Sequence, residues 1–162
     1  MTKEQFQILF DMYFEDIRSY LYFRSGDTEL STDLAQDTFL RIWEKQLTLD
    51  PEKDVGLLYK IAGDFFINQY RKDRVSNKVL KNICFEHLGP GPEEDLHYKE
   101  LKAKYEKILN SLPEKQRTVF LMSRMEELTY REIAERLSIS VKSVEKRMSG
   151  VLTRLRKELI DR

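Results

Sequence analysis

The sequence has very few of the residues that build disulfides and metal sites. Cys84 is its only cysteine, so no intrachain disulfide can form, and a reducing cytoplasm is the expected location. His87 and His97 are its only histidines, and beside a single cysteine they give a metal site little to build on. These shortages argue against a disulfide scaffold or a metalloprotein, and we expect no cofactor.

Long apolar runs and catalytic motifs are also missing. No stretch approaches the roughly 20 apolar residues that a membrane-spanning helix needs. The N-terminus lacks a basic start followed by an apolar core, so we expect no membrane insertion. The six glycines form no phosphate-binding loop, and no nucleophile motif is present. The sequence therefore predicts a protein that is not an enzyme.

Charge is balanced over the whole chain but not along it. The totals are 28 basic and 28 acidic residues. Residues 1–56 contain twelve acidic and six basic residues, whereas residues 57–82 contain six basic and two acidic ones. Residues 112–162 contain twelve basic and eight acidic residues. Separate acidic and basic parts indicate two different kinds of partner.

The C-terminal part carries the signals of a short helix, a tight turn and a longer basic helix. Thr129 followed by Glu132 is a capping box, which predicts a helix beginning at Tyr130. Residues 138–140 (Ser-Ile-Ser) break the pattern, and Ser140 can cap the next helix. The apolar positions of that second helix recur at helical spacing: Val141, Val144, Met148, Val151, Leu152 and Leu155.

The face opposite this apolar stripe predicts contact with DNA. Residues 136–157 contain seven basic residues opposed by Glu145 alone, whereas a solvated helix face usually mixes its signs. A helix with a buried stripe and a basic face, set after a short turn, suits the major groove. A purely structural hairpin is the alternative. The predicted contact residues are Ser140, Lys142, Ser143, Glu145, Lys146, Arg147, Ser149 and Arg154.

Two amphipathic helices are predicted near the N-terminus. Residues 25–27 (Ser-Gly-Asp) end the first, and Ser31 or Thr32 can cap the second. The inward positions of the second helix are Leu34, Ala35, Phe39, Ile42 and Trp43. Its outward residues are Gln36, Asp37, Leu40, Arg41 and Glu44. A solvated face is the alternative, but a leucine among charged residues indicates a partner surface.

A third helix is predicted over Val55–Arg74, ending in an aromatic and basic cluster at residues 70–74. Rings stack on unpaired bases and cations follow phosphate, so this cluster suits single-stranded nucleic acid, with Tyr70 as the exposed ring. Phe65 and Phe66 are more consistent with the core. The mostly inward positions are Leu58, Ile61, Ala62, Phe65, Phe66 and Ile67.

Glycine and proline divide the chain. Residues 89–92 (Gly-Pro-Gly-Pro) cannot lie within a helix, and we expect a flexible linker over Ser76–Glu94. Further helices are predicted from Pro92 to about Asn110 and from Pro113 onward. The predicted fold class is all-α, with two small helical domains joined by a flexible linker and a helix-turn-helix in the C-terminal domain. The predicted boundaries are 1–75, 76–94 and 95–162.

In their order along the chain, these segments resemble bacterial RNA polymerase sigma factors of the extracytoplasmic-function group. Residues 33–43 are similar to the family's helix that binds core polymerase. Residues 58–71 resemble its segment that melts and reads the minus-ten promoter element. Residues 112–117 resemble the entry to its region 4, and residues 130–155 its helix-turn-helix for the minus-thirty-five element. The family often has Arg-Asn where Gly63-Asp64 stand here, and Asp in place of Asn68.

The resemblance implies a promoter-specificity subunit without catalysis of its own. Its partners would be core RNA polymerase, through clamp helices of the largest-subunit type, promoter DNA and an anti-sigma factor. The core-binding residues would be Asp33, Gln36, Asp37, Leu40, Arg41 and Glu44. The minus-ten residues would be Lys60, Asp64, Asn68, Tyr70, Arg71, Lys72 and Arg74. The alternative is a free-standing helix-turn-helix regulator with an N-terminal sensing or dimerisation domain.

Overall fold

The computed structural model describes residues 1–75, 83 and 96–160, and for residues 73–75 it describes the backbone alone. Within these ranges the chain is helical and has no strand, which confirms the all-α class. The predicted start of a helix at Pro92 lies outside the described residues. The helices are α1 (Lys3–Ser25), α2 (Thr28–Glu44), α3 (Val55–Val75), α4 (Leu96–Ser111), α5 (Glu114–Met125), α6 (Tyr130–Leu137) and α7 (Val141–Leu159).

The turn between α1 and α2 is set by one glycine and one aspartate. Gly26 ends α1 with a left-handed backbone, φ 71°, as glycine at a helix C-terminus commonly does. The Asp27 side chain then accepts the Leu30 N–H and caps α2. Helix α2 therefore begins at Thr28. The prediction of a cap at Ser31 or Thr32 was wrong, because both hydroxyls donate to backbone carbonyls one turn earlier in the chain.

The helix-turn-helix forms as its caps predict. Thr129 and Glu132 make the reciprocal capping box of α6. Ser138 ends α6 in a left-handed conformation, φ 54°, and Ser140 caps α7 by accepting the Ser143 N–H. Four of the six predicted stripe positions are buried, whereas Val141 is exposed in the first turn and Leu152 is half-buried. The buried four are Val144, Met148, Val151 and Leu155.

One residue of the predicted linker is described, and it is attached to the C-terminal half. Ile83 is buried. Its N–H donates to Asn110 Oδ1 at 2.9 Å, and Asn110 Nδ2 donates to its carbonyl at 3.2 Å. The other residues of Ser76–Glu94 lie outside the described part of the chain, so the flexible linker stays a prediction.

The N-terminal half (α1–α3) and the C-terminal half (α4–α7) pack directly against each other. Helix α1 contacts α2 and also α5, while α3 contacts α2 and also α6. The buried apolar residues of both halves belong to one continuous cluster. We call the contact of α1 and α3 with α5, α6 and the α5–α6 turn the interdomain seam. It determines how the outward faces of α2 and α3 lie relative to that of α7.

Candidate polymerase and nucleic-acid interfaces

The outward face of α2 is a solvent-exposed surface of charges around one leucine. Aromatic contacts hold the opposite side of the helix, with the Phe39 ring 5.1 Å from that of Phe10. Leu40 is 52% exposed, although a leucine at a packed helix position would be buried. All six residues predicted for core binding are exposed together on this face: Asp33, Gln36, Asp37, Leu40, Arg41 and Glu44.

Trp43 extends the α2 face beyond the predicted residues. The periodicity placed it inward, but it is 38% exposed while its ring contacts Phe6 at 5.2 Å. An indole held on one side and open on the other suits a partner surface. Arg41 is less free than its exposure suggests, because its guanidinium lies 5.1 Å from the Phe65 ring of α3.

The outward face of α3 gathers most of the residues predicted for the minus-ten element. Residues 60, 64, 68 and 71 recur every three or four positions, which places them on one helical face. Tyr70 is 38% exposed, and its ring lies 6.1 Å from that of Phe66. The Arg74 side chain lies outside the described residues. The exposed members of the set are Lys60, Asp64, Asn68, Tyr70, Arg71 and Lys72.

The aromatic pair on α3 belongs to the fold, as predicted. Phe66 is buried and Phe65 half-buried, so neither offers an open ring for stacking. Ile67 was expected to face inward but is 37% exposed. Its side chain lines a cavity between the two halves, together with residues of α1, α5 and α7.

The amino-terminal half of α7 presents a mixed polar and basic surface. Ser140 is engaged in capping and Ser143 is half-buried beside it. Four other residues of the predicted DNA-contacting set are exposed: Lys142, Glu145, Lys146 and Ser149.

Two arginines of the predicted DNA-contacting set are not free. Arg147 is half-buried and lines the cavity between the halves, together with Ile67 of α3 and Tyr20 of α1. Arg154 donates to Glu158 at 2.8 Å and to the Ser111 hydroxyl at 3.0 Å. Both side chains are therefore only partly exposed in this arrangement, and their contact with DNA stays a prediction.

The two halves match two parts of one protein family. The model described as "Sigma-70 region 2" matches residues 9–75, and "Sigma-70, region 4" matches residues 102–155. The ferric citrate uptake sigma factor FecI of Escherichia coli is 31% identical over 144 residues, which cover 87% of this chain and 83% of that protein. The ECF RNA polymerase sigma factor SigM of Bacillus subtilis is 26% identical, covering 93% and 90%.

The chain belongs to the sigma-70 family of RNA polymerase sigma factors, in its extracytoplasmic-function group. It directs promoter-specific initiation of transcription, with core RNA polymerase and promoter DNA as partners.

A solved structure shows the same fold. The sigma factor RpoE of Bartonella quintana, in complex with the anti-sigma factor NepR, aligns with a TM-score of 0.67. The alignment covers 97% of this chain and 98% of that chain at 21% identity. In the described ranges of this sigma factor, no helix is long and apolar enough to span a membrane. The same ranges hold no group of three or more histidine, cysteine, aspartate or glutamate side chains that could bind a metal ion.

Two buried arginines form one end of the interdomain seam in this sigma factor. Arg24 of α1 makes a bidentate pair with Glu114 of α5, at 2.9 and 2.7 Å. Arg117 of α5 donates to the carbonyls of Phe23 and Arg24, both at 2.9 Å, so it caps the C-terminus of α1. Burial lowers the pKa of Arg117, as expected for a cation removed from water.

Gly63 leaves room for the Arg24 pair. A Cβ atom at Gly63 would lie 3.2 Å from the Tyr20 hydroxyl and 3.4 Å from Arg24 Nη1. The same hydroxyl accepts a hydrogen bond from Arg24 at 2.9 Å. Gly63 therefore has a structural role, whereas Asp64 is exposed to solvent. These are the two positions where the resemblance to the family departs from its common Arg-Asn.

The other end of the seam is a charge cluster built from four elements. Arg136 of α6 donates to Asp16 of α1 at 3.1 Å and to the Tyr59 hydroxyl of α3 at 3.0 Å. Glu126, at the end of α5, approaches Arg136 at 3.9 Å, and neither of its carboxylate oxygens has a hydrogen-bond partner among the described residues. Burial and the charge of Asp16 raise the pKa of Glu126 to about 7, although Arg136 acts in the opposite direction.

Sequence reasoning missed this seam. Arg136 was counted with the basic residues of the helix-turn-helix, yet it faces the N-terminal half. Arg117 lay within the segment that resembles the entry to region 4, without a role. Their partners are 94 and 120 positions away in the chain, and no local pattern marks such pairs.

The Glu126 carboxyl predicts a pH dependence of stability. Its pKa is about 7 in the folded protein and 4.5 in the reference state, so the folded form binds the extra proton between these values. The stabilisation is complete below pH 4.5 and is lost as the pH rises towards and through 7. Between pH 5 and 8 the unfolding free energy of the wild type should fall by about 2–3 kcal/mol relative to Glu126→Gln.

Urea unfolding of both proteins at pH 5, 6, 7 and 8 measures this difference. Glu126→Gln keeps the shape of the side chain but does not titrate, so it corrects for the other carboxylates. The difference in unfolding free energy between the wild type and Glu126→Gln should change with pH. If it stays constant across the range, or if the wild type becomes relatively more stable as the pH rises, the geometry of the cluster is contradicted.

Proposed function

We propose that this sigma factor docks on core RNA polymerase through the outward face of α2. The observation that carries this assignment is Leu40, an exposed leucine within a ring of charged and polar residues. A buried apolar anchor surrounded by polar groups supplies much of the affinity at protein interfaces. Trp43 adjoins it on the same helix and adds aromatic surface. The expected contact is the clamp-helix pair of the largest polymerase subunit.

The exposed face of α3 is proposed to read the minus-ten element as separated strands. Tyr70 supplies a ring for stacking, and Arg71 and Lys72 supply positive charge for the backbone. Asp64 lies on the same face and repels phosphate, which favours a contact with a base edge at that position. Lys60, Asn68 and Arg74 complete the proposed set.

Helix α7 is proposed to enter the major groove at the minus-thirty-five element. Its amino-terminal residues, Lys142 and Lys146 above all, are exposed where recognition helices contact base edges. Arg147 lies next to Lys146 in the helix and is partly exposed, so it belongs to the proposed set. The remaining proposed contacts are Ser140, Ser143, Glu145, Ser149 and Arg154.

The proposal also includes the division of the chain into domains. Residues 1–75 form a region-2 domain, residues 76–94 a linker and residues 95–162 a region-4 domain, as the two family matches support. The protein is a regulatory initiation factor, and we infer that it has no catalysis of its own and works in the cytoplasm with the polymerase. An anti-sigma factor is a proposed partner, because the structural neighbour was solved with one.

The α2 assignment predicts a loss of polymerase binding. Asp37→Lys with Leu40→Ala should weaken affinity for core polymerase by about 30-fold or more, since a central anchor contributes on the order of 2 kcal/mol. Helix content should not change, because both side chains point to solvent. Titration of fluorescent protein with core enzyme measures the affinity.

A matched control exists on α1. Ile8 is 53% exposed and Asp11 lies three residues further on, so α1 also has an exposed aliphatic residue and an aspartate three positions apart, in the reverse order. Asp11→Lys with Ile8→Ala should bind core polymerase as the wild type does. If both double variants lose the same amount of affinity for core polymerase, or if the α2 variant keeps the wild-type affinity, the α2 face is not the docking surface.

Substitution of two lysines on α7 distinguishes contacts with the bases from contacts with the DNA backbone. Lys146 and Lys157 are both exposed and lie eleven residues apart, about 16 Å along one face of the helix. Lys146→Ala should relax the preference at one or two minus-thirty-five positions, because a direct base contact contributes about 1–3 kcal/mol of discrimination. Lys157→Ala should weaken all sequences alike and reduce the salt slope by about one unit.

Promoter selection by holoenzyme from a library randomised at the minus-thirty-five element measures both effects. The two variants remove the same charge from the same helix, so any difference between them comes from position. Identical sequence preferences for Lys146→Ala and the wild type would exclude Lys146 from base reading.

A further inference from the structure

A single acidic residue lies within the basic part of α7. Residues 136–157 contain seven basic residues and one acidic residue, Glu145. It is in the second turn of α7, which begins at Val141. Recognition helices contact base edges through residues near their amino-terminal end. The Glu145 side chain is therefore at a position from which a base can be reached.

The Glu145 carboxylate is available to a partner. Its residue is exposed, and in the described part of the chain no hydrogen bond or ion pair engages it. Glu158, further along the same helix, accepts a hydrogen bond from Arg154 at 2.8 Å instead. Arg147 lines the cavity between the halves, but Glu145 is about 200° away from it around the helix. The cavity side of α7 thus leaves Glu145 uncovered.

An unpaired carboxylate is unfavourable beside DNA unless it finds a hydrogen-bond donor. It repels the phosphates, whereas the neighbouring Lys142 and Lys146 attract them. A carboxylate can only accept hydrogen bonds when it is ionised. The base edges of the major groove offer two kinds of donor, the N4 amino group of cytosine and the N6 amino group of adenine.

Cytosine suits the carboxylate better than adenine does. Adenine has the N7 acceptor beside its N6 donor, so a carboxylate that approaches N6 is also repelled by N7. Cytosine presents its N4 donor to the major groove without an acceptor of its own. Guanine and thymine present acceptors and no donor there, so both are rejected.

We propose that Glu145 selects cytosine at one position of the minus-thirty-five element. The inference rests on the proposed function, since it requires α7 to lie in the major groove. It goes beyond a general contact, because it assigns one base to one side chain. The basic residues around Glu145 supply affinity for the DNA backbone, and the carboxylate supplies discrimination.

Glu145→Gln tests the identity of the base. The variant keeps the shape of the side chain but replaces one carboxylate oxygen with an amino donor. A glutamine pairs with both N6 and N7 of adenine. One cytosine–guanine pair of the preferred sequence should therefore change to adenine–thymine, with adenine on the strand that carried cytosine. The preference for each pair over the other should be about tenfold.

Glu145→Ala separates base reading from the general effect of a negative charge. It removes the hydrogen bond to the preferred base and also the repulsion of the phosphates. The preference for cytosine should fall by about tenfold, while the affinity for promoters that lack this cytosine should rise. A solvated glutamate without a base contact would instead, on removal, raise the affinity for all sequences alike.

Glu135→Gln is the matched control. Glu135 is an exposed glutamate of α6, so the variant makes the same change in the same helix-turn-helix but outside α7. Any effect on affinity should be uniform over sequences. The promoter sequences that this variant selects should match those of the wild type.

Promoter selection by holoenzyme from a library randomised at the minus-thirty-five element measures the preferences. Titration of each holoenzyme with the selected promoter and with its cytosine-to-adenine counterpart then gives the affinities. The expected result is a switch of preference between these two promoters in Glu145→Gln alone.

Two results would overturn the inference and leave the proposed function intact. One is an unchanged base preference in both Glu145 variants, and the other is a change at a pair that is adenine–thymine in the wild-type selection. A holoenzyme without any preference at the minus-thirty-five element, or a chain that never associates with core polymerase, would overturn the proposed function itself.

Discussion

Arg117 is the residue on which the arrangement of the two halves most depends. A buried guanidinium costs several kcal/mol unless its donors are satisfied. Here the donors are satisfied by carbonyls at the C-terminus of α1, which have no partners within their own helix. The cap of a helix in one half is thus supplied by the other half. Arg24 and Glu114 strengthen the same junction, and together these groups fix α5 against α1.

The position of the α7 face relative to the α3 face follows from that junction. With α5 fixed on α1, helix α6 lies across α3, where Arg136 reaches both Asp16 and Tyr59. Helix α7 then follows with one side towards the cavity and one towards solvent. The α2 face is far less affected, because α2 packs on α1 and α3 alone among the stronger helix contacts. The proposed docking face of α2 is accordingly exposed in this arrangement, while Arg147 of α7 is half-buried at the cavity between the halves.

Local signals in the sequence predicted the parts of the fold that depend on local physics. The Thr129–Glu132 capping box and the Ser140 cap formed as expected, since each involves backbone groups within three residues. Periodicity also placed Leu40 outward and Phe66 inward. Periodicity failed at Trp43, which is only partly covered. The capping signal was misread at Ser31 and Thr32, because Asp27 caps α2 about one turn earlier. Hydrophobic periodicity could not predict how one helix is oriented relative to another.

The charged residues show this limit most clearly. A basic stripe from Arg136 to Lys157 looked uniform in the sequence, yet Arg136 pairs across the seam, Arg147 lines the cavity and Arg154 binds Glu158. The Arg154–Glu158 pair has the i,i+4 spacing of a local helix pair. With 28 residues of each sign, however, no rule of spacing selects Asp16 as the partner of Arg136. Long-range pairs of this kind are decided by tertiary packing.

A footprint on promoter DNA tests the central claim most directly. Core polymerase, this chain and both together would be compared on a promoter selected by the holoenzyme, with probes for duplex protection and for unpaired bases. The account predicts protection at the minus-thirty-five element and unpaired bases at the minus-ten element only when both proteins are present. The same specific protection by the chain alone would contradict it and identify a free-standing DNA-binding regulator.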